Sequence, residues 1–171
     1  MIAGRLEMSL DMAEDQAKDN NASDPFILFD LAGTTYGVPS RVVQQVELVE
    51  HITPVPNAPP AVEGVIFSRG QVIPAVNLRV RFGFEKKPHD LRTRLIVVNA
   101  KGRVIGLIVD SAREFIAIPS GAIQPPNEAI SGLKGKYLEG IATLGERIIL
   151  ILSIGEVIDM AEAMTALPEG A

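Results

Sequence analysis

Short runs of apolar residues, separated by turn residues, recur along most of this chain. Such runs, about four to eight residues long and rich in Val, Ile and Phe, are typical of β-strands. Where two runs flank a short turn that contains Gly, the pattern predicts a hairpin. Hairpins are predicted in this way over residues 26–38, 64–76, 94–110 and 137–152.

The segments that join these hairpins predict an additional strand over 112–118, an extended stretch over 46–51, and three short helices. Pro is favoured at the first position of a helix, which predicts a helical turn over 39–45. Asn77 stands where an N-cap would begin a helix over 78–82. A last helix is expected from about residue 153 to about residue 164. Many short strands with few, short helices favour an all-β protein, built as small barrels or as a sandwich.

Composition limits the class of protein. The chain has 171 residues, of which 47% are apolar, so it can bury a sizeable core. It has no Cys, which excludes disulfide bonds and thiolate metal sites. A net charge of −5, two Tyr and no Trp argue against a nucleic-acid-binding surface, because such surfaces need clustered cations and stacking aromatic rings.

The sequence shows no apolar segment long enough to cross a membrane. The longest apolar run, Ile148 to Leu152, is far shorter than the roughly 18 residues that a spanning helix needs. Arg5 and Glu7 interrupt the apolar stretch at the start of the chain, so it does not resemble the core of a signal peptide. The sequence therefore predicts a cytoplasmic protein without direct membrane contact.

The first 24 residues differ from the rest of the chain. They hold six acidic and two basic residues, so they carry −4 of the net charge of −5. The segment from Asp19 to Pro25 has no apolar period and is typical of a linker. Leu6 to Met12 could form one or two amphipathic turns, but the composition favours a disordered acidic tail over 1–24.

The residue pattern yields no catalytic or metal site. His51 borders a proline-rich loop and His89 lies in a charged segment, and neither has a second ligand at helical spacing. Nucleotide-binding and nucleophile motifs are missing. Asp110, at the end of an apolar strand, is the best single candidate for an acid, although a turn with Ser111 explains it better. We therefore expect no catalysis and no bound cofactor or metal.

The stretch from Val62 to Gly83 carries the clearest candidate for a binding residue. Arg69 is predicted at the tip of an otherwise apolar hairpin, next to Gly70, which can adopt a positive φ. Loop tips on a rigid sheet often carry binding residues. The alternative is that Arg69 only keeps the turn soluble, and spacing alone leaves that alternative open.

The same stretch resembles the CheW family, the coupling proteins of bacterial chemosensory arrays. Further matches follow in family order from about residue 26 to about residue 158. Two departures matter, since the family usually has Asn-Leu where this chain has Phe67-Ser68, and an acid where it has Gln45. The positions of this stretch that match the family pattern are Gly64, Val65, Arg69, Gly70, Ile73, Pro74, Asn77, Leu78, Arg79 and Phe82.

The resemblance implies the fold and the extent of the domain. The family fold consists of two small five-stranded SH3-like β-barrels packed together, with short helices that include a C-terminal one. A CheW-like domain is expected over 25–161, with interleaved barrel subdomains at about 39–90 and 91–150 plus the end strands. A flexible C-terminus is expected over 162–171.

The resemblance also implies a function without catalysis. Family members are scaffolds that couple chemoreceptors, the methyl-accepting chemotaxis proteins, to the histidine autokinase CheA. One barrel pairs with the regulatory domain of the kinase, and a groove between the barrels receives the cytoplasmic helical tip of the receptor. The alternatives are an adaptor of a non-flagellar pathway (twitching, gliding or development) or, further from the pattern, a small β-barrel that binds a ligand or acts as an enzyme.

Site residues are carried over from the family position by position. Arg69 is the strongest of them, and Gly64 and Gly70 are assigned to the shape of its hairpin. The surface expected to face the receptor and the border of the groove comprise Ser40, Val43, Gln44, Gln45, Val109, Phe115 and Ile116. For the β-branched residues of this set the alternative is packing in the core, because such residues dominate strand interiors.

Overall fold

The computed structural model describes residues 23–126 and 137–159. The tail predicted over 1–24 and the C-terminus predicted over 162–171 lie outside the described residues, apart from Ser23 and Asp24, which begin the first strand. The predicted extent of the domain, 25–161, stays a prediction.

Within the described ranges, the chain forms eleven strands and a few short helical segments. The strands are β1 Ser23–Leu31, β2 Thr34–Pro39, β3 Val43–Leu48, β4 Val62–Ser68, β5 Gln71–Asn77, β6 Arg94–Ala100, β7 Arg103–Val109, β8 Ser111–Pro119, β9 Ile123–Gln124, β10 Leu138–Leu144 and β11 Arg147–Leu152. Helix α1 is Leu78–Arg81, helix α2 covers 154–159, and 3-10 turns lie at Ser40–Val42 and Ser120–Ala122. Every predicted hairpin and the predicted additional strand are present, which confirms the all-β prediction.

The strands form two sheets. In spatial order, the five-stranded sheet is β3-β6-β7-β5-β4 and the six-stranded sheet is β8-β1-β2-β11-β10-β9. The chain divides between them differently from the predicted split near residue 90, because β6 and β7 complete the first sheet. β7 pairs in parallel with β5, where Ala75 lies opposite Gly106. The charged segment around His89 lies between β5 and β6, two strands of the same sheet, so it is a loop within the five-stranded sheet.

The predicted helices differ from the observed ones mainly in length. Only Ser40–Val42 is helical in the segment predicted over 39–45, and the residues that follow belong to β3. Pairing of Val43 with Val98 draws this backbone into the five-stranded sheet, which outweighs the helical tendency. Helix α2 begins at residue 154, close to the predicted start, and its predicted end near residue 164 lies outside the described residues.

Clusters of buried apolar side chains hold the described residues together at three places. The largest cluster lies between the two sheets and includes Phe29 and Leu107. The other two fill the interiors of the barrels, one around Leu28 and one around Leu95. Burying one such side chain contributes roughly 1.5–3 kcal/mol. The cluster between the sheets is therefore the main interaction that fixes one barrel on the other.

The two sheets repeat one arrangement of strands. In each, a first hairpin (β1–β2 or β6–β7) is joined by a parallel pair to a second hairpin (β10–β11 or β4–β5). Equivalent hydrogen bonds lie at the base of the second hairpins. N of Asn77 donates to O of Ala61, and N of Ser153 donates to O of Tyr137, both at 2.7 Å.

The repeat also relates single positions of the edge strands and of the hairpin tips. Each edge strand carries a bulge, directly before Gln45 in β3 and directly before Glu114 in β8, so these two residues are counterparts. The second hairpins align through their registers and turns. Their counterparts near the tip are Phe67 with Thr143, Val72 with Ile148, and the turn Arg69-Gly70 with Gly145-Glu146.

Asp110 joins the two sheets where the chain passes from β7 to β8. Its Oδ2 accepts from Nη1 of Arg79, in α1, at 2.6 Å and from N of Ala32, in the β1–β2 turn, at 2.9 Å. Because α1 follows a strand of one sheet and the turn belongs to the other, the carboxylate ties the sheets together. This structural role accounts for the acid that the sequence singled out.

Gly64 stands at a bulge in β4 where another segment approaches closely. N of Thr53 donates to O of Val65 at 2.8 Å, and N of Val65 donates to O of Thr53 at 2.9 Å. This pair closes the five-stranded sheet between β4 and the chain that follows β3. Gly64 has φ +151°, and a Cβ there would lie 2.1 Å from O of Thr53. A side chain at position 64 therefore conflicts with barrel closure.

We expect Gly64→Ala to lower the free energy of unfolding by about 2–4 kcal/mol, because neither backbone can retreat without losing the closing hydrogen bonds. Gly70→Ala is the matched control. It also has a positive φ, but nothing lies within 4 Å of the added Cβ, so its cost should stay near about 1–2 kcal/mol. Denaturant unfolding compares the two variants, and equal losses would contradict the steric explanation.

Candidate protein-binding site

The tip of the β4–β5 hairpin is a two-residue turn that presents a cation. Arg69 has φ 49° and Gly70 has φ 83°, a pair of positive angles that fits the twist of a tight hairpin. Gly adopts such angles freely, whereas they cost another residue roughly 1–2 kcal/mol. The Arg69 side chain is exposed, and it forms no ion pair with any carboxylate in the described part of the chain.

A cleft of about 680 Å³ opens beside this turn. Its walls are β3 and β4, the two edge strands of the five-stranded sheet, and the segment after β3 that carries His51. Arg69 and Glu47 both line it, so a cation and an anion face the same space. The cleft therefore offers charged and apolar groups together at one end of the barrel.

Gln45 connects the two walls of the cleft. Its Nε2 donates to Oγ of Ser68, on β4, and to Oε2 of Glu47, on its own strand. Gln45 and Ser68 are both departures from the family pattern, and they lie 23 residues apart in the chain. Sequence reasoning did not assign Ser68 or Glu47 to the site. Because both positions depart from the family pattern, a contact between Gln45 and Ser68 could have been predicted from the sequence.

The structure places the predicted receptor-facing residues at the start of β3. Ser40 is half-buried in the 3-10 turn, and Val43 is half-buried against the core between the sheets. Gln44 is the bulged residue and is exposed. Of the residues predicted in this stretch, Gln45 is the one that lines the cleft next to Arg69.

The residues predicted at the border of the groove differ in their surroundings. Val109 is 1% exposed in the core between the sheets, and Ile116 packs against the interior of the six-stranded barrel. Core packing therefore accounts for both. Phe115 is 66% exposed on β8, the edge strand of the six-stranded sheet. The predicted set thus divides into residues at a surface and residues that support it from inside.

An exposed apolar pair flanks the Arg69 turn. Phe67 on β4 lies directly opposite Val72 on β5, so both side chains project from the same face of the hairpin. Phe67 is 76% exposed and Val72 is 65% exposed. Sequence reasoning noted Phe67 only as a departure from the family pattern and did not single out Val72.

The counterpart of Gln45 in the six-stranded sheet takes part in an ion pair. Nη1 and Nη2 of Arg147 donate to the two carboxylate oxygens of Glu114, at 2.9 and 2.8 Å. This bidentate bond lowers the pKa of Glu114 below its ordinary value. Equivalent edge positions of the two barrels are therefore held by different chemistry, an amide–hydroxyl bond in one and an ion pair in the other.

The described residues contain no cluster of three or more His, Asp or Glu side chains that could hold a metal ion. Nε2 of His89 lies 3.2 Å from Oε2 of Glu63, and Nδ2 of Asn77 donates to the same oxygen at 2.6 Å. These contacts hold the charged loop against β4 and α1. Among the described helices, none has the length and apolar character needed to cross a membrane.

A charged hairpin tip, an exposed aromatic–aliphatic pair and an open cleft on a rigid framework define a protein-interaction module of two packed β-barrels. The chain belongs to the CheW-like domain family, whose model matches residues 25–162. This membership places it among the coupling adaptors of chemotaxis and confirms the resemblance drawn from the hairpin motif.

Individual relatives agree with the family match. The chain is 31% identical over 137 residues to the chemotaxis protein CheW of Klebsiella aerogenes, covering 80% of this chain and 82% of the relative. It is 32% identical over 117 residues to Protein FrzA of Myxococcus xanthus, covering 67% and 73%. The crystal structure of the scaffolding protein TtCheW from Thermoanaerobacter tengcongensis matches with a TM-score of 0.72 and 34% identity, over 77% of this chain and 89% of that one.

The Glu114–Arg147 pair should make stability depend weakly on pH. Because the pKa of Glu114 is lower in the folded protein, its contribution is present above the unfolded pKa and is lost as the pH falls through the folded value. Both side chains are nearly half exposed, so Glu114→Gln should cost less than about 1 kcal/mol at pH 7. The difference in the free energy of unfolding between Glu114→Gln and the wild type should vanish at pH values well below about 4, the ordinary pKa of Glu.

Denaturant unfolding at a series of pH values measures this dependence. Glu139→Gln, at an exposed position of β10, is the control and should follow the wild type throughout. A Glu114→Gln difference that persists at low pH would contradict an ion-pair origin.

Proposed function

We propose that this chain is a non-catalytic adaptor that couples chemoreceptors to the histidine autokinase CheA in a bacterial chemosensory array. The observation that carries the proposal is the match of residues 25–162 to the CheW-like domain. The likeness to a scaffolding protein of the same fold supports it. The exposed groups around Arg69 and Phe67 are what a docking module requires.

Two surfaces of one rigid molecule would serve two partners. One barrel docks the regulatory domain of the kinase, and the groove between the barrels receives the cytoplasmic helical tip of the receptor. Among the residues predicted to face the receptor or to border the groove, Gln44 on β3 and Phe115 on β8 are exposed, and they belong to different sheets. Receptor signals then shift the population of kinase states through contacts that differ between those states.

The adaptor would work in the cytoplasm and reach the inner membrane only through receptors. A second candidate function is an adaptor of a non-flagellar chemosensory pathway. The match to Protein FrzA, a relative that does not carry the CheW name, is the observation that favours keeping this candidate. No observation favours the third alternative, a ligand-binding barrel or an enzyme.

Reconstitution tests the function directly. Receptor-containing membranes from the source organism, its CheA kinase and this chain are mixed, and kinase autophosphorylation is followed with each component omitted in turn. We expect receptor control of the kinase only when this chain is present, and co-sedimentation of all three proteins. A chain that neither co-sediments nor changes kinase activity would overturn the proposal.

Arg69 should contribute to assembly without contributing to folding. Its side chain lies at a turn tip, so Arg69→Ala should keep the unfolding midpoint near that of the wild type. Assembly should weaken by about 1–3 kcal/mol, as expected for loss of one charge-assisted contact, and Arg69→Lys should not restore it fully. Calorimetric titration against receptor and kinase measures both.

Lys101→Ala is a matched control for this loss of charge. Lys101 also lies in a two-residue turn with a positive φ of 56°, on the β6–β7 hairpin, where it pairs with Asp159 at 2.8 Å. If removal of either cation weakens assembly equally, net charge and not the Arg69 contact is responsible.

We further propose that the chain accepts no phosphoryl group from the kinase. Its sequence has no nucleotide-binding motif, and Asp110, the best single acid, is engaged by Arg79 and Ala32. After mixing with radiolabelled phospho-kinase, the chain should remain unlabelled while a cognate response regulator takes up label. Stoichiometric label on this chain would contradict the proposal.

A further inference from the structure

We propose that the acidic segment before β1, residues 1–22, docks on an exposed apolar strip of the six-stranded sheet and competes there with the receptor. The occupant of the strip is thus a segment of the same chain, held by apolar contacts and by ion pairs. Competition with the receptor rests on the proposed function, whereas docking of the segment does not. The strip consists of Pro25 on β1 and of Phe115, Ala117 and Pro119 on β8.

The strip continues the apolar face that the six-stranded sheet turns toward the other sheet. Directly opposite residues of paired antiparallel strands project from the same face. Phe115 lies opposite Ile27, which packs against the core between the sheets, so Phe115 is on that face. Because strand residues alternate between faces, Ala117 and Pro119 follow on the same face, and all three are exposed. Apolar surface that is exposed in a row favours a partner that covers it.

The first strand places the acidic segment at one end of this strip. Ser23 begins β1 and lies opposite Pro119, so residue 22 leaves the sheet where the strip ends. Phe115, at the other end of the strip, is roughly 13 Å away at 3.3 Å per residue. The linker residues 19–22 span about the same distance when extended. A segment attached here therefore reaches the whole strip while β1 stays paired.

The sequence of the segment contains an apolar stripe of matching length. Four apolar residues recur at intervals of three and four, the spacing that places side chains on one face of a helix. At a helical rise of about 1.5 Å per residue the stripe is about 16 Å long, close to the length of the strip. Acidic segments with few apolar residues gain too little burial to order alone, and a surface that covers those residues supplies it. The stripe comprises Leu6, Leu10, Ala13 and Ala17.

Acidic residues of the segment repeat the same spacing. Glu7, Asp11 and Glu14 each follow a residue of the apolar stripe by one position. Successive residues of a helix are about 100° apart, so the three carboxylates would lie along one side of the apolar stripe. The segment thus combines an apolar stripe with an acidic one, and the surface that fits it is apolar with cations beside it.

Two exposed cations lie near the strip. Arg113 is two residues before Phe115, its side chain is 70% exposed, and its nearest carboxylate, on Asp30, is 3.9 Å away. Arg41 is exposed in the 3-10 turn after β2, whose last residue lies opposite Phe26 of β1. Within the described ranges, Arg41 forms no ion pair. Both guanidinium groups are therefore open to carboxylates of the acidic segment, in surface ion pairs that salt screens.

Docking of the segment would cover surface that the receptor needs. The proposed function places Phe115 at the border of the groove that receives the helical tip of the receptor. Segment and receptor tip then compete for the same side chain. The apparent affinity for the receptor falls in proportion to the fraction of chains whose strip is open. The acidic segment would act as a weak competitor within the adaptor itself.

A spin label on the segment measures docking in the full chain. The chain has no Cys, so Ser9→Cys provides a single site for a nitroxide, at a position outside both stripes. We expect the label to broaden the amide signals of Phe115 and Ala117. The amide of Leu91, in the exposed loop before β6, should stay sharp. Equal broadening at all three amides would contradict docking on the strip.

Two matched pairs of substitutions test the apolar stripe. Leu6→Ser with Leu10→Ser removes two residues of the stripe and should abolish the broadening. Met8→Ser with Met12→Ser removes two apolar residues that would lie on the opposite side of a helix, and should leave the broadening unchanged. Ala117→Glu places a carboxylate in the strip at an exposed position, and should abolish the broadening by repelling the acidic stripe.

Calorimetric titration with a receptor cytoplasmic fragment tests the competition. Deletion of residues 1–22 should tighten receptor binding by about three- to tenfold, because every strip is then open. Leu6→Ser with Leu10→Ser should tighten binding in the same direction, and Met8→Ser with Met12→Ser should bind as wild type does. The gain on deletion should shrink as salt rises, because the ion pairs that hold the segment weaken. Binding to the kinase regulatory domain should change less than about twofold.

The outcomes separate docking, competition and the proposed function. Broadening that survives Leu6→Ser with Leu10→Ser overturns docking through the stripe. Broadening that arises only between spin-labelled and isotope-labelled chains, after mixing, identifies a second copy as the occupant and overturns docking within one chain. Unchanged receptor affinity after deletion overturns the competition and leaves the proposed function standing. If neither the full chain nor the shortened chain binds the receptor, the proposed function and the competition both fail, while the spin label still decides docking. Thermal unfolding verifies that each variant folds.

Discussion

Each of the two sheets buries one face in the interior of its own barrel and the other face against the neighbouring sheet. A chain of aromatic rings follows this shared core. Ring centroids lie 5.7 Å apart between Phe29 and Tyr36, 5.9 Å between Tyr36 and Phe82, and 5.5 Å between Phe82 and Tyr137. Burial raises the pKa of Tyr36. Because the largest cluster of buried side chains in the described residues is shared, neither barrel encloses its apolar surface alone, and the relative position of the barrels follows from their folding.

The shared core also determines which surfaces remain for partners. The middle of each sheet is covered on both faces, so the edge strands and the hairpin tips carry most of the exposed apolar side chains, such as Phe67, Val72 and Phe115. The strand repeat supplies two equivalent tips and two equivalent edge positions. Substitutions at these positions change little of the folded framework, and this freedom allows one end to present a cation that has no ion-pair partner among the described residues and the other a closed ion pair.

Local features of the structure followed from the sequence with few errors. Short apolar runs located the hairpins, and Gly in the turns located their tips, including the positive φ of Gly70. Asn77 was expected to cap α1, and its Oδ1 accepts from N of Val80 at 3.3 Å. The family motif was visible in the same stretch and identified the class of protein. These signals are short-range, because the period of a strand, the angles of a turn and the geometry of a cap involve only neighbouring residues.

Long-range features needed the tertiary structure. A period of two shows that a strand has a buried face, but not which strand or sheet covers it. The assignment of β6 and β7 to the first sheet, the burial of Val109 and the strand conformation of residues 43–45 at the end of the predicted helix all depend on such pairing. So does the hydrogen bond between Gln45 and Ser68. The sequence by itself determined the strands, the turns and the family, whereas only the tertiary structure decided which side chains meet, since that depends on register and on packing between distant segments.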